Sequence, residues 1–289
     1  MPNYNTFEKE KPKQPKKTKK RALVNVQLIV SDMDGTLLDE NHCIPPRFWP
    51  LLDTMHERGI YFAPASGRQL FTLQEQFSAY PQLPIIAENG AVVSYEGKII
   101  SLVTMNTAAV HTIVHTVASN QELDWGAVVC RADGAFISRS DQAFMQQCTP
   151  YYKKLTVVPE LSEYINNQVV KVAIYCFQGS RPAATTALSG KTAGLLPIVS
   201  SGNWIDFMNP AAHKGNAVAT LAKRLDITLD NTIAFGDYLN DLELLRTVGR
   251  SYAMANAHPE LLAVATHQAP AHTEEGVIQV LEQVLTQAC

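Results

Sequence analysis

Apolar and polar positions divide the chain into short, wholly apolar runs and longer runs with a helical period. VQLIVS (26–31) is apolar, rich in β-branched residues and followed by a turn signal, which predicts a buried parallel strand. Residues 46–58 carry apolar side chains at helical spacing and stop at Gly59; Pro50 either starts that helix or distorts its first turn. IYFAPAS (60–66) predicts a second strand, QLFTLQEQF a helix, and LPIIAE (83–88) a third strand. This alternation predicts a doubly wound α/β parallel sheet.

The rhythm changes near Asn89-Gly90. Between about 92 and 199, strand candidates (AVVSY, KIISLV, AFISR, VVKVAIYCF) mix with helical stretches around 107–119 and 180–190, as expected of an inserted α+β unit. The α/β rhythm is expected to resume at WIDFM (204–208). A helix from Lys214 to Leu225, the strand NTIAFG (231–236), the helix DLELLRTV, the strand SYAMA and two closing helices complete the pattern. The expected organisation is a tail at 1–21, a core from 22–91 and 200–289, and an insert at 92–199.

Composition narrows the class. The 289 residues are 46% hydrophobic and 18% charged, enough to bury one large core or two ordinary ones. No apolar run approaches the roughly 20 residues of a membrane span, and the lysine-rich N-terminus lacks the apolar segment of a secretory signal. Five scattered cysteines without a CxxC pair point to a reduced, cytoplasmic protein. The net charge of -3 hides an asymmetry: residues 1–21 hold eight Lys/Arg against two Glu. That stretch is expected to be a solvated extension, and the acidic remainder argues against nucleic acid as a partner.

The candidate chemistry lies at predicted strand ends. Asp32-Met33-Asp34-Gly35-Thr36 follows the first strand, where doubly wound sheets bind ligands. Two carboxylates one residue apart let one attack phosphorus while the other handles a proton. Gly35 permits close backbone approach, and the Thr36 hydroxyl can fix the loop. Ser66-Gly67 ends the second strand with a hydroxyl and a backbone N–H suited to an anionic oxygen. Lys214 opens a helix against its dipole, so an anion should lie nearby. Asp237, Asn240 and Asp241 follow another strand. Carboxylates gathered from Asp32, Asp34, Asp237 and Asp241 would repel one another without a hard cation, and oxygen donors select Mg²⁺.

DMDGT, the serine after the second strand, the isolated lysine and GDYLND match in order the four motifs of the haloacid dehalogenase superfamily. DMDGTLLD, ASGR, AENGA and PAAHKGNAV resemble its Cof-type sugar-phosphate phosphatases, over about residues 26–285. That resemblance implies a Rossmann-like core with a C2 (type IIB) cap inserted between the second and third motifs. It implies Asp32 as nucleophile, forming an aspartyl phosphate, and Asp34 as acid and base. It implies Mg²⁺ held by Asp32, Asp237 and the Asp34 carbonyl. Met33, Ser66, Gly67, Lys214 and Asn240 would hold the phosphoryl oxygens, and Asp241 would support the metal or the lysine from behind. Ser66 stands where many relatives carry Thr, and Tyr238 fills a position often small or polar, narrowing the substrate mouth.

Other signals fail. His111 and His115 sit four apart but lack the HExxH glutamate and a third zinc ligand. Gly190-Lys191-Thr192 ends like a P-loop, yet position 185 is Thr; no GxSxG or GxGxxG is present. The expectation is a phosphatase of small phosphorylated metabolites, sugar phosphates first, since a cap would exclude polymers. A sugar phosphomutase and a non-catalytic binding module are the alternatives. Specificity is expected in cap residues facing the core, with Arg68 or segment 126–138 contributing.

Overall fold

The computed structural model describes residues 25–287 apart from 178–180, 191, 193, 194, 196 and 202. The basic stretch 1–21, Lys191 and Cys289 therefore lie outside the described residues.

Strand β1 (Leu28–Ser31) is buried on both faces and pairs in parallel with β2 (Tyr61–Pro64) and β12 (Thr232–Gly236). Strands β13 (Arg250–Met254) and β14 (His267–Ala269) extend the parallel sheet to the order β14-β13-β12-β1-β2. The chain winds one way from β1 to β2 and the other way from β12 to β14, so the winding reverses between β1 and β12. A reversal of this kind opens a crevice at the carboxyl ends of the two strands. Helix α1 (Phe48–Glu57) packs against α9 (Gly276–Gln287), and α6 (Lys214–Arg224) packs against α7 (Leu242–Thr247). Pro50 falls in the first turn of α1, where its missing N–H has no helical partner to lose. The described residues are consistent with the α/β core expected from the sequence.

Two expectations need correction. Helix α2 (Leu70–Gln76) leads to β3 (Ile85–Ala87), but β3 does not form a parallel ladder with β2; it meets the residue just beyond β2 through an isolated parallel Ala65–Ile86 bridge. It pairs instead, antiparallel, with β4 (Val92–Tyr95), which pairs with β5 (Lys98–Leu102). The cause is the turn Glu88-Asn89-Gly90, whose φ values of 49°, 52° and 97° are all left-handed and reverse the chain. Residues 92–102 thus belong with β3. The second correction concerns WIDFM, which forms β11 (Trp204–Met208) in a different, antiparallel sheet; the α/β rhythm resumes only at α6. A strand buried on both faces reads alike in either setting.

That second sheet has six strands: β10 (Pro197–Ser201), β11, β9 (Val169–Cys176), β6 (Trp125–Arg131), β7 (Gly134–Ile137) and β8 (Leu155–Val157), in that order. Its two faces have separate tasks. Ala127, Val129, Val172, Ile174, Ile205 and Phe207 pack with α3 (Thr107–Ser119) and α5 (Arg181–Leu188). Val128, Cys130, Ala173, Trp204 and Met208 join the apolar cluster that runs into the parallel sheet. Helix α4 (Gln142–Cys148), which lies beyond the sequence expectation, seals this side with Phe144 and Cys148. Segment 126–138 is this sheet's β6–β7 hairpin. No described helix is long and apolar enough to cross a membrane.

Candidate active site

Asp32 leaves the carboxyl end of β1 in extended conformation, and its N–H donates to Phe235 O at 3.0 Å, so β1 and β12 stay in register up to the crevice. The chain then turns sharply through Met33–Leu37, with Gly35 at φ 78°. A Cβ on Gly35 would lie 2.3 Å from Asp237 Oδ2, so this position needs glycine for space as well as for backbone angle. Thr36 Oγ1 donates to Asp237 Oδ1 at 3.2 Å, tying the two strand-end loops together.

Lys214, fully buried at the first turn of α6, reaches Asp32 Oδ1 at 2.5 Å and Asp241 Oδ1 at 2.6 Å. These carboxylates supply the anion that a lysine at a helix N-terminus requires. Asp241 Oδ2 accepts the N–H groups of Asp237 and Tyr238 at 3.1 and 3.4 Å, so both its oxygens are engaged inside the protein. Burial lowers the lysine's proton affinity, but Asp241 and Asp32 outweigh it and raise its pKa. Removing one partner from such a buried set typically costs about 3–5 kcal/mol, because a charge is left uncompensated.

Ligand oxygens of Asp32, Asp237 and Asp241 lie within 4.8 Å of one another. Burial first, then the Asp241 charge, pushes Asp32 well above the usual carboxylate range and Asp237 up to about 6. Lys214 brings one positive charge to three carboxylates, so the cluster is under-neutralised, and its donors are all oxygen. Those two properties fit a hard divalent cation.

Asp34 sits in a different field. Burial raises its pKa, but hydrogen bonds from Arg68 Nε at 2.8 Å and Nη2 at 2.5 Å, and one with His42 Nδ1 at 3.1 Å, pull it below the usual range. The sequence reading offered Arg68 for specificity; the structure places it on the acid–base candidate. His42 was not foreseen, and its only sequence signal is a polar Asn-His-Cys turn after the aspartate loop.

Ser66 follows β2 as Asp32 follows β1. Its hydroxyl oxygen accepts from Arg68 N at 3.1 Å, and its carbonyl accepts from Asn89 N at 2.9 Å. The Asn89 side chain closes over Gly67, and its Oδ1 accepts from Asn240 Nδ2 at 3.2 Å. Serine, Asn89 and Asn240 therefore form one linked rim. Met33 is buried within the turn, and Tyr238 is 47% exposed at the edge, its ring against His258. His111 and His115 are exposed on α3, away from this cluster; among the described residues the metal-capable group is the Asp32, Asp237 and Asp241 set.

From the insert, Tyr151–Lys154 reaches the start of α2. Gln69 brackets the Lys154 backbone, accepting from its N at 2.8 Å and donating to its O at 3.0 Å; Thr72 Oγ1 donates to Tyr151 O at 3.0 Å. Segment 126–138 is expected, with Arg68, to contribute to specificity; the polar seam that joins the insert to α2 runs through 151–154.

The haloacid dehalogenase-like hydrolase family model matches residues 29–281. The chain is 30% identical to the 5-amino-6-(5-phospho-D-ribitylamino)uracil phosphatase YbjI of Escherichia coli over 91% of this chain and 97% of that protein. It is 29% identical to an HMP-PP phosphatase of Citrobacter koseri over 83% and 88% of the two chains. The crystal structure of SMU.1108c from Streptococcus mutans superposes with a TM-score of 0.79 at 27% identity, covering 90% of this chain and 99% of that one. With the motif residues gathered at the winding reversal of a central parallel sheet, the chain belongs to the haloacid dehalogenase-like hydrolases, among their Cof-type phosphatases.

Proposed function

We propose that this phosphatase hydrolyses monoesters of small phosphorylated metabolites, sugar and sugar-alcohol phosphates first, through a phosphoryl group carried on Asp32, with Mg²⁺. The observation that carries the reading is Asp32 at the end of β1, held by buried Lys214 and facing Asp237 across the reversal. An Asp32 carboxylate oxygen attacks phosphorus, and the P–O bond to the alcohol breaks. Asp34 gives the departing oxygen its proton, then takes a proton from the water that releases phosphate. Lys214, the Ser66 hydroxyl, Asn240 and the Met33 and Gly67 amides bind the equatorial oxygens. Asp32, Asp237 and the Asp34 carbonyl would hold Mg²⁺, which neutralises charge on the phosphoryl oxygens when bound.

Sugar-alcohol phosphates enter the proposal because the E. coli relative acts, by its name, on a phosphoribitylamino compound. The insert from α3 through β11 is read as the cap that surrounds the rest of the substrate. The free thiols of Cys43, Cys130 and Cys148 support a reducing, cytoplasmic setting.

The test combines chemistry and metal. Wild-type protein should release inorganic phosphate from a sugar-phosphate panel without a bisphosphate activator, lose activity on chelation and regain it with Mg²⁺. Asp32→Asn should remove turnover while the protein stays folded. Labelled phosphate trapped on another residue, or full activity in excess chelator after dialysis, would defeat the mechanism.

A further inference from the structure

A second buried charge pair lies outside the carboxylate cluster. Lys171 on β9 is 3% exposed and Glu88, in the turn after β3, is 1% exposed, with Lys171 Nζ 2.6 Å from Glu88 Oε2. One partner comes from the cap sheet and the other from the core. Burying two opposite charges is a poor way to gain stability, since apolar residues of similar volume often serve as well. What such a pair fixes is geometry.

Lys171 makes a further contact that shows which geometry. Its ammonium donates to the Gly67 carbonyl at 3.0 Å. That carbonyl and the Arg68 N–H belong to one rigid peptide plane, pointing in opposite directions. On the far side of the plane, the Arg68 N–H donates to Ser66 Oγ at 3.1 Å. Holding the carbonyl therefore aims the amide, and the amide occupies an acceptor site on the Ser66 hydroxyl. The one hydroxyl proton is then free to be donated elsewhere.

The Glu88 turn holds the peptide planes on either side of that one, Arg68–Gln69 and Ser66–Gly67. The Glu88 N–H donates to Arg68 O at 3.0 Å, and the next N–H, of Asn89, donates to Ser66 O at 2.9 Å. These residues hold left-handed φ values of 49° and 52°, a conformation that persists only where surroundings impose it. On the cap side Lys171 is steadied by the Tyr152 ring, 5.5 Å away, and by the charge of the buried Asp206 on β11.

We infer that Lys171 is a positioning residue that couples the seating of the cap to the alignment of the Ser66 hydroxyl. It touches no substrate and acts through the Gly67–Arg68 peptide. The inference rests on reading Ser66 and Gly67 as the phosphoryl cradle. A seated cap delivers the ammonium to the Gly67 carbonyl; a displaced cap withdraws it, and the cradle loses one of its supports. Lys171 thereby differs from cap residues that contact the leaving group, because the cradle is common to every substrate.

The experiment compares wild type, Lys171→Met, Lys171→Arg and the double variant Lys171→Met/Glu88→Gln, which removes the Glu88 charge orphaned by the single change and leaves that of the buried Asp206. Each is assayed on p-nitrophenyl phosphate and on a sugar phosphate, for inhibition by orthovanadate, and for thermal midpoint. Lys171→Met should lower kcat/KM on both substrates by the same factor, up to about 10²-fold as for other small misplacements of a reacting group. It should weaken vanadate inhibition in parallel. The double variant should regain part of the thermal stability without regaining vanadate affinity, and Lys171→Arg should recover part of both. The inference is overturned if Lys171→Met changes only the midpoint, if the double variant restores activity, or if the loss is confined to the sugar phosphate. It is equally overturned if neither Met variant folds, because the pair is then a folding element. A wild-type protein that releases no phosphate from any substrate would instead defeat the phosphatase reading itself.

Discussion

At the scale of single residues, the two aspartates of the first loop occupy opposed electrostatic environments. Asp32 and Asp237 are pushed up by burial and crowding, whereas Arg68 and His42 hold Asp34 down. In the proposed mechanism Asp34 donates a proton, yet a guanidinium on both its oxygens favours its ionised form, so that mechanism requires substrate binding to draw Arg68 away or share it. Replacing Arg68 with Ala should let the Asp34 pKa rise, and the limb of the kcat/KM profile that reports Asp34 should move to higher pH. A profile that stays in place would show that Arg68 does not govern the acid–base group. Asp32, Ser66 and Asp237 were legible in the sequence because they follow apolar runs, and Lys214 because it opens a helix against its dipole. Arg68's bond to Asp34 was not, because the two follow different strands and become neighbours only through the pairing of β1 with β2.

At the scale of elements, the site is a property of strand ends. The loops after β1 and β12 bring three carboxylates together before any metal is considered. A carboxyl whose pKa is raised on folding contributes stability that is present at low pH and lost as pH rises through the folded value, here about 6 for Asp237. Mg²⁺ competes with protons for the same oxygens. Added Mg²⁺ should therefore raise the thermal midpoint more near pH 7.5 than near pH 5, in scans of chelator-treated protein; an equal rise at both would place the ion elsewhere. The seam at 151–154 is the other element of consequence. Tyr151, in that seam, lies 36% exposed beside Trp204 and near Arg68. Tyr151→Ala should change kcat/KM ratios among phosphorylated metabolites several-fold and p-nitrophenyl phosphate hydrolysis much less. Uniform loss on all substrates would remove it from specificity. Periodicity exposed most helices and strands, but not which sheet each strand joins: β3 and β11 read as core strands because burial on both faces looks alike everywhere.

At the scale of the whole molecule, no motif residue precedes Asp32, and the +6 stretch at 1–21 contrasts with an acidic remainder. Protein beginning at Ala22 should keep its kcat and thermal midpoint. Any attraction of the full chain to anionic surfaces should fade steeply with salt; a large fall in kcat on truncation would assign the segment a part in the site. The pairing of β1 with β12 has a further consequence, for the order in which the molecule assembles. Leu28 meets Thr232 only after the entire insert has been made, so the central sheet has a long loop to close, whereas the β6–β7 hairpin closes locally. During synthesis the six-stranded unit can begin to organise while β1 and β2 wait as an incomplete pair with an open edge. The catalytic centre, built across the β1–β12 junction, should be among the last features to form, and pulse-labelled amide exchange should show β6 and β9 protected before β1 and β12.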